Sequence, residues 1–295
     1  MRRSFVLVAL LGFSFSSSAK TWYVGKEGDD NPDCGGRTSP CETINQALGL
    51  AGTNDKIVVG PGRYMEFLEI DIEGLKLEST AGRWGTIIET TDSDDHVISI
   101  GASRVQIGRK GKGFTLQGAI EPAAAGIYLY SFSGLDRIRI EGNRITENSY
   151  GIYIQNFVLA GTVDERAAYQ SKLQIRYNNV VRNTGNYAIL CGGCGGSLIA
   201  DNRIEDNGHG TGFGDALNLA ASSKVAIYRN VITHNAWDAF FGDGSQQARI
   251  KDNVVDKSSA YGLTVSNGDG SVVQSNILAQ NTVYGLALWQ TTNNI

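Results

Sequence analysis

The stretch ADNRIEDN, residues 200–207, decides the fold, because its pattern returns along the chain as EGNRITEN (141–148), RYNNVVRN (176–183), YRNVITHN (228–235), KDNVVDKS (251–258) and QSNILAQN (274–281). The leading asparagines are Asn143, Asn178, Asn202, Asn230, Asn253 and Asn276, at intervals of 35, 24, 28, 23 and 23 residues. A period in the low twenties with occasional insertions marks a solenoid. Three residues before each asparagine stands Ile140, Ile175, Ile199, Ile227, Ile250 or Val273, and two after it stands Ile145, Val180, Ile204, Ile232, Val255 or Leu278. Such β-branched residues in short runs favour strands over helices.

A further strand follows in every coil, as YGIYI, YAILC, DALNL, DAFFG, YGLTV and YGLAL, with inward positions expected at Ile152, Ile189, Leu217, Phe240, Leu263 and Leu286. Strands this short, with Gly and Asn turns and no helix between them, must pair with their equivalents one coil away. The prediction is an all-β parallel β-helix with coils stacked about 4.8 Å apart. The leading asparagines are expected to ladder at a turn and to take the left-handed backbone there. Fainter coils extend upstream in HVISIGASRVQIG, GFTLQGAI and AAGIYLY. An exposed solenoid end needs cover, and PCETINQALGLA reads as a short amphipathic capping helix with Ile44, Ala47, Leu48 and Ala51 on one face. LWQTTNNI at the other end lacks a polar cap, which suggests self-association or a further stretch of chain there.

The opening MRRSFVLVALLGFSFSSSAK reads as a secretory signal peptide cut after Ala19, leaving one domain over 20–295, with its cap at about 20–55 and coils at about 56–295. The protein is therefore expected to be secreted or periplasmic. No other stretch approaches the ~18 continuous apolar residues of a membrane span. The chain has 26 basic and 30 acidic residues, and without Arg2 and Arg3 the balance is 24 against 30, which argues against a nucleic-acid partner. In an oxidising compartment the four cysteines suggest disulfides within Cys34/Cys41 and Cys191/Cys194. For the CGGC pair, a redox couple or half a zinc site is the alternative.

The region TSPCETINQALGLAGTNDKIVVGPGRYME, residues 38–66, resembles the opening of secreted right-handed parallel β-helix proteins of the pectate-lyase-like superfamily. The residues that carry the resemblance are Pro40, Thr43, Ile44, Ala47 and Leu48, then Ile57, Val58, Val59, Pro61, Gly62 and Tyr64. With the repeats, it covers nearly the whole chain after Ala19. It implies a right-handed helix and, from the superfamily's range, either a polysaccharide lyase or glycoside hydrolase or a non-catalytic adhesion or binding protein. Gly208-His209-Gly210 and Arg249-Ile250-Lys251 resemble two short motifs of polygalacturonase-like glycosidases. That family's paired-aspartate motif has no counterpart ahead of His209.

Candidate chemistry follows from one column. The residue before the small Gly or Ala of the further strand reads Tyr150, Tyr187, Asp215, Asp238, Tyr261 and Tyr284. Adjacent coils would hold Asp215 and Asp238 roughly 5 Å apart, the separation of a retaining glycosidase pair and also suited to a calcium ion. His209 lies in the insertion EDNGHGTGFG just ahead of Asp215, and a longer insertion surrounds FVLAGTVDERAAYQS; such loops commonly wall a groove. In the hydrolase version the two aspartates share acid and base or nucleophile roles. In the lyase version they hold calcium against a uronate, and Arg249 or Lys251 takes the proton. Tyr187, Trp237, Phe241 and Tyr261 are the expected sugar contacts. Against this stands the plain reading of Asp215 and Asp238 as solvated or turn-capping residues. His96, after Asp92, Asp94 and Asp95, marks either a loop cation site or a solvated acidic turn; His234 reads as a turn residue. The basic run at Arg109, Lys110 and Lys112 reads either as a site for an acidic sugar or, more plainly, as a solvated loop.

Overall fold

Strands of three or four residues cannot satisfy their backbone groups alone, so each must find its equivalent in the next coil. A computed structural model describes residues 18–90, 96–131, 134–156, 171–210, 214–237, 239–241, 245–266 and 269–292, the side chains of 240 and 241 excepted. In it, all strand pairs are parallel and form three sheets. The first has ten strands, from Thr21–Val24 to Val272–Gln274, and the second nine, from Gly62–Met65 to Ile277–Ala279. The third also has nine, from Leu68–Ile70 to Leu286–Trp289. The chain visits the sheets in turn, which makes a parallel β-helix.

The register stacks like on like. Ile140, Ile175, Ile199, Ile227, Ile250 and Val273 align along the first sheet. Ile145, Val180, Ile204, Ile232, Val255 and Leu278 align along the second. All but the terminal Val273 and Leu278 are buried in one continuous core. Each such side chain contributes about 1.5–3 kcal/mol by leaving water.

The corners between the sheets are fixed by amides. Asn143, Asn178, Asn202, Asn230 and Asn253 are buried between the first and second sheets, and each Oδ1 from Asn178 onward accepts from the backbone N–H of the asparagine one coil earlier. The left-handed residue, however, is the one before each asparagine: Gly142, Tyr177, Asp201, Arg229, Asp252 and Ser275 all have positive φ. That turn leaves the asparagine itself free to point inward. A second ladder, Asn148, Asn183, Asn207 and Asn235, stands at the corner between the second and third sheets. Its members are the closing asparagines of the same repeats.

The third sheet corrects one expectation. Ala239, not Phe240, stands in register with Leu217 and Leu263; Phe240 falls opposite Asn218 and Thr264, and Phe241 opposite Leu219 and Val265. The inward residue comes nine positions after Asn230, where the next two coils take ten. A corner shorter by one residue moves every later side chain to the other face.

At the N-terminal end, the helix Ile44–Leu50 buries Ile44, Ala47 and Leu48, and Thr43 caps it by accepting from Gln46 N–H. Glu66 accepts from the Ile44 and Asn45 N–H groups at 2.9 and 2.8 Å. Within the stretch expected to be cap, Thr21–Val24 already pairs with Lys56–Val59 and opens the first sheet. Both disulfides are formed, Cys34–Cys41 and Cys191–Cys194. The signal-peptide reading falls almost wholly on residues 1–17, outside the described residues. Among the described residues no helix is long and apolar enough to cross a membrane.

Candidate functional site

Each strand of the third sheet is entered through a corner whose length varies from coil to coil, and that corner carries the site. The strand Asp215–Ala220 buries Ala216 and Leu217 in succession, which breaks alternation and leaves Asp215 half-buried rather than in the core. Tyr187 pairs with Asp215, and Leu217 with Ala239, so Trp237 takes the place opposite Asp215. Leu263 and Leu286 extend the same register, which brings Tyr261 and Tyr284 into line. The column therefore reads Tyr150, Tyr187, Asp215, Trp237, Tyr261, Tyr284. Asp238 lies outside the described residues.

The small residues beside this column have a packing cause. A Cβ on Gly151 would come within 2.4 Å of the Ala188 carbonyl oxygen and 2.5 Å of a Val180 methyl. The chain turns there directly over the second asparagine ladder, and only the residue ahead of it projects outward.

Beside Asp215 runs a groove of about 430 Å³ lined by Asp215, Asn218, Trp237, Tyr261, Thr264, Ser266 and Trp289. Asn218 Nδ2 donates to Asp215 Oδ2 at 2.7 Å. Tyr261 stacks on Tyr284 at 5.9 Å and meets Trp289 edge-on at 6.4 Å. The groove wall thus combines one carboxylate, hydroxyl and amide groups, and aromatic faces, the surface that a sugar ring fits. A smaller groove of about 250 Å³ lies at the Tyr150 end of the column. Between them Tyr150 and Tyr187 meet edge-on at 5.4 Å. Burial raises the Tyr187 phenol, and the Asp215 charge raises it further. Tyr128 continues the aromatic face, stacked on His96 at 4.0 Å and tilted against Tyr153 at 5.3 Å.

Of the residues expected to act together, Asp215, Trp237 and Tyr261 share the groove, and Tyr187 adjoins Asp215 in register. Arg249 and Lys251 do not join them: they flank Ile250 as exposed residues of the first sheet, where plain alternation turns them outward on a different face. His209 is also outside the lining, with Nε2 2.9 Å from the His234 carbonyl oxygen. His234 is a turn residue, as expected, and its φ is positive. His96 packs on Tyr128, and its acidic neighbours Asp92, Asp94 and Asp95 are outside the described residues, as is most of the insertion at 157–170. By register Phe241 falls opposite Leu219 and Val265, and its side chain, on which the expected sugar contact rests, lies outside the described residues. Trp289 was missed by sequence reasoning; its signal is the pairing with Ser266 across the last two strands.

Solved structures share this architecture at low identity. The chain is similar to XylC in complex with xylose (TM-score 0.62, 13% identity, covering 93% of this chain and 67% of that one). It is similar to the GH136 lacto-N-biosidase from Eubacterium ramulus (TM-score 0.59, 13% identity, 93% and 67%) and to pectate lyase Pel9A (0.57, 14%, 95% and 79%). Such likeness shows the fold alone. No curated protein matches the chain. Residues 125–295 match the profile described as "Right handed beta helix region", and with its three stacked parallel sheets the chain belongs to the right-handed β-helix family.

Proposed function

We propose that the chain is a secreted carbohydrate-active protein that cuts an extracellular polysaccharide by hydrolysis, in the groove beside Asp215. The observation that supports this reading is the column of aromatic residues on either side of Asp215, repeated once per coil. The coil pitch of about 4.8 Å is close to the length of one pyranose, so successive rings can rest on successive coils. Hydrolysis needs an acid to protonate the leaving oxygen and a second carboxylate to activate water or attack the anomeric carbon. Asp215 is the first of these, oriented by the Asn218 amide. Asp238, next in the chain to Trp237, is the candidate for the second, and the same pair is the candidate for calcium.

Among the described residues, the groove lining has no Arg, Lys or His to hold a uronate or to take a proton beside it, which favours hydrolysis of a neutral sugar over lyase chemistry. One observation favours a second, non-catalytic reading as a binding module: the described lining holds one carboxylate against three aromatic rings. The two disulfides fit an oxidising, extracellular setting.

Incubation with neutral and acidic polysaccharides, with and without calcium, separates these readings by new reducing ends and by the ultraviolet absorbance of unsaturated products. Reducing ends that fall by about 100-fold in Asp215→Asn, with binding retained, support hydrolysis. Binding that is lost in Trp237→Ala with no product from any sugar supports the module. Full activity in Asp215→Asn refutes the assignment.

A further inference from the structure

A second groove, of about 460 Å³, opens at another corner of the solenoid, between the first and second sheets and toward the N-terminal end. Most coils turn this corner with a left-handed residue and an asparagine, as at Gly142-Asn143 and Tyr177-Asn178. Two earlier coils do not: residues 80–85 separate Lys76–Ser79 from Thr86–Glu89, and 108–114 separate Gln106–Ile107 from Thr115–Gln117. These longer turns rise as a wall, and the short turns beyond them form a floor that includes Gly142 and Tyr177. Gly142 permits the arrangement, since its φ is positive and a Cβ there would come within 2.3 Å of the Arg109 carbonyl oxygen.

The residues around this groove are cationic and aromatic. Trp84 is 72% exposed at the tip of the first long turn. Arg83 and Arg144 lie 5.8 and 5.5 Å from its ring centre, and Lys110 stands 4.7 Å over Tyr177. Arg83 leans across the coils and donates to the Tyr177 carbonyl at 3.2 Å. The acid of the groove, Asp201, is already matched: Arg229 donates to both of its oxygens at 2.7 and 3.0 Å, and Arg176 stands 3.7 Å away. Glu147, whose charge acts on Arg144, pairs with Arg182. Among the described residues, no carboxylate lies within ion-pair distance of Arg83, Lys110 or Arg144.

We propose that this corner groove binds an acidic sugar, a hexuronate unit of a polysaccharide, with the ring on Trp84 and the carboxylate among Arg83, Lys110 and Arg144. A pyranose has an apolar C–H face that stacks on indole, and a guanidinium takes a carboxylate in two parallel hydrogen bonds. Three cations without carboxylate partners around an exposed ring select for a ligand that is flat and anionic. Neutral sugars would leave those charges unmet. The groove is separate from the one beside Asp215, which has no cation in its lining among the described residues.

The test is calorimetric titration in a Trp237→Ala background, so that binding beside Asp215 does not contribute. The probes are tetrasaccharides of galacturonate, mannuronate and guluronate, the methyl ester of the first as a neutral match, and a twelve-residue oligothymidylate. Saturable binding of at least one uronate is expected, weakened about tenfold by Trp84→Ala and by Lys110→Gln/Arg144→Gln, weakened by salt, and absent for the ester. Thermal unfolding confirms that each variant is folded. The proposal fails if no uronate binds, if the ester binds equally, if both variants bind as before, or if the oligonucleotide binds as tightly as the best uronate.

Discussion

Replacing Asn202 by alanine tests what holds the corners of successive coils in step. Asn202 is 2% exposed and takes part in the ladder from both sides. Its Oδ1 accepts from Asn178 N–H at 3.0 Å and from Asn178 Nδ2 at 3.1 Å, while its Nδ2 donates to the Ile175 carbonyl at 2.8 Å and to Asn230 Oδ1 at 3.0 Å. The alanine variant loses all four. Asn178 Nδ2 keeps the Ile140 carbonyl and Asn230 Oδ1 keeps Asn202 N–H, but Asn178 N–H is left buried without this acceptor. An orphaned buried N–H costs about 1–3 kcal/mol, and the other lost bonds about 0.5–1.5 kcal/mol each. Allowing for relaxation, the expected destabilisation is about 3–5 kcal/mol. Urea unfolding followed by circular dichroism reads it as a lower midpoint, with hydrogen exchange at Asn178 as the local readout, because a solenoid need not unfold in one step. The same change at Asn276, which is only partly buried, should cost less, since water can replace its bonds. A loss below about 1 kcal/mol with Asn178 exchange unchanged would refute the view that the ladder holds the coils in step at this corner.

Burial alone would raise the carboxyl of Asp55, but hydrogen bonds from Gly52 N–H, Trp22 Nε1 and Lys20 N–H hold it below its ordinary 3.8. The stability it contributes is therefore present above that value and lost as pH falls through the lower folded one; Trp22 emission should shift to the red there in the native protein, and already at neutral pH in Asp55→Asn. Because the Asp215 charge adds to burial in raising the Tyr187 phenol, Asp215→Asn should lower that phenol's pKa, read by ultraviolet titration; no change would separate the two residues. Loss of the buried Cys191–Cys194 link in the double serine variant should cost about 2 kcal/mol by the short loop it closes, measured by denaturant midpoint. Gly151→Ala, driven into the Ala188 carbonyl, should cost about 1–3 kcal/mol in the same assay.

The sequence revealed the solenoid because each coil states the same strands again, so six weak signals add. Ile140 and its partners align without error since the corner they adjoin has the same length from Asn143 onward. The entry to the third sheet has no such constancy. One residue fewer before Ala239 was enough to put Trp237 in place of Asp238 opposite Asp215, and Ala239 in place of Phe240 in register with Leu217 and Leu263. Arg249 and Lys251 failed for a different reason: nearness along the chain does not say which of three faces a strand belongs to. Of the corner groove only Lys110 stood out in the sequence, because Arg83, Lys110 and Arg144 belong to three successive coils and come to one corner only after stacking.

The two amide ladders have a consequence for how the surface can change over time. Backbone pairing in the three sheets sets the coil spacing, and hydrogen bonds near 3.0 Å between asparagines hold the corners in step, whatever the volume of the side chains inside or outside the sheets. Ala239 can therefore replace a leucine in the core column while its neighbours stay in step. The outer column enjoys the same licence: tyrosine, aspartate and tryptophan occupy equivalent places on one rail. Selection can thus rewrite the ligand preferences of this face one coil at a time, each new side chain arriving already at the pitch of a sugar chain.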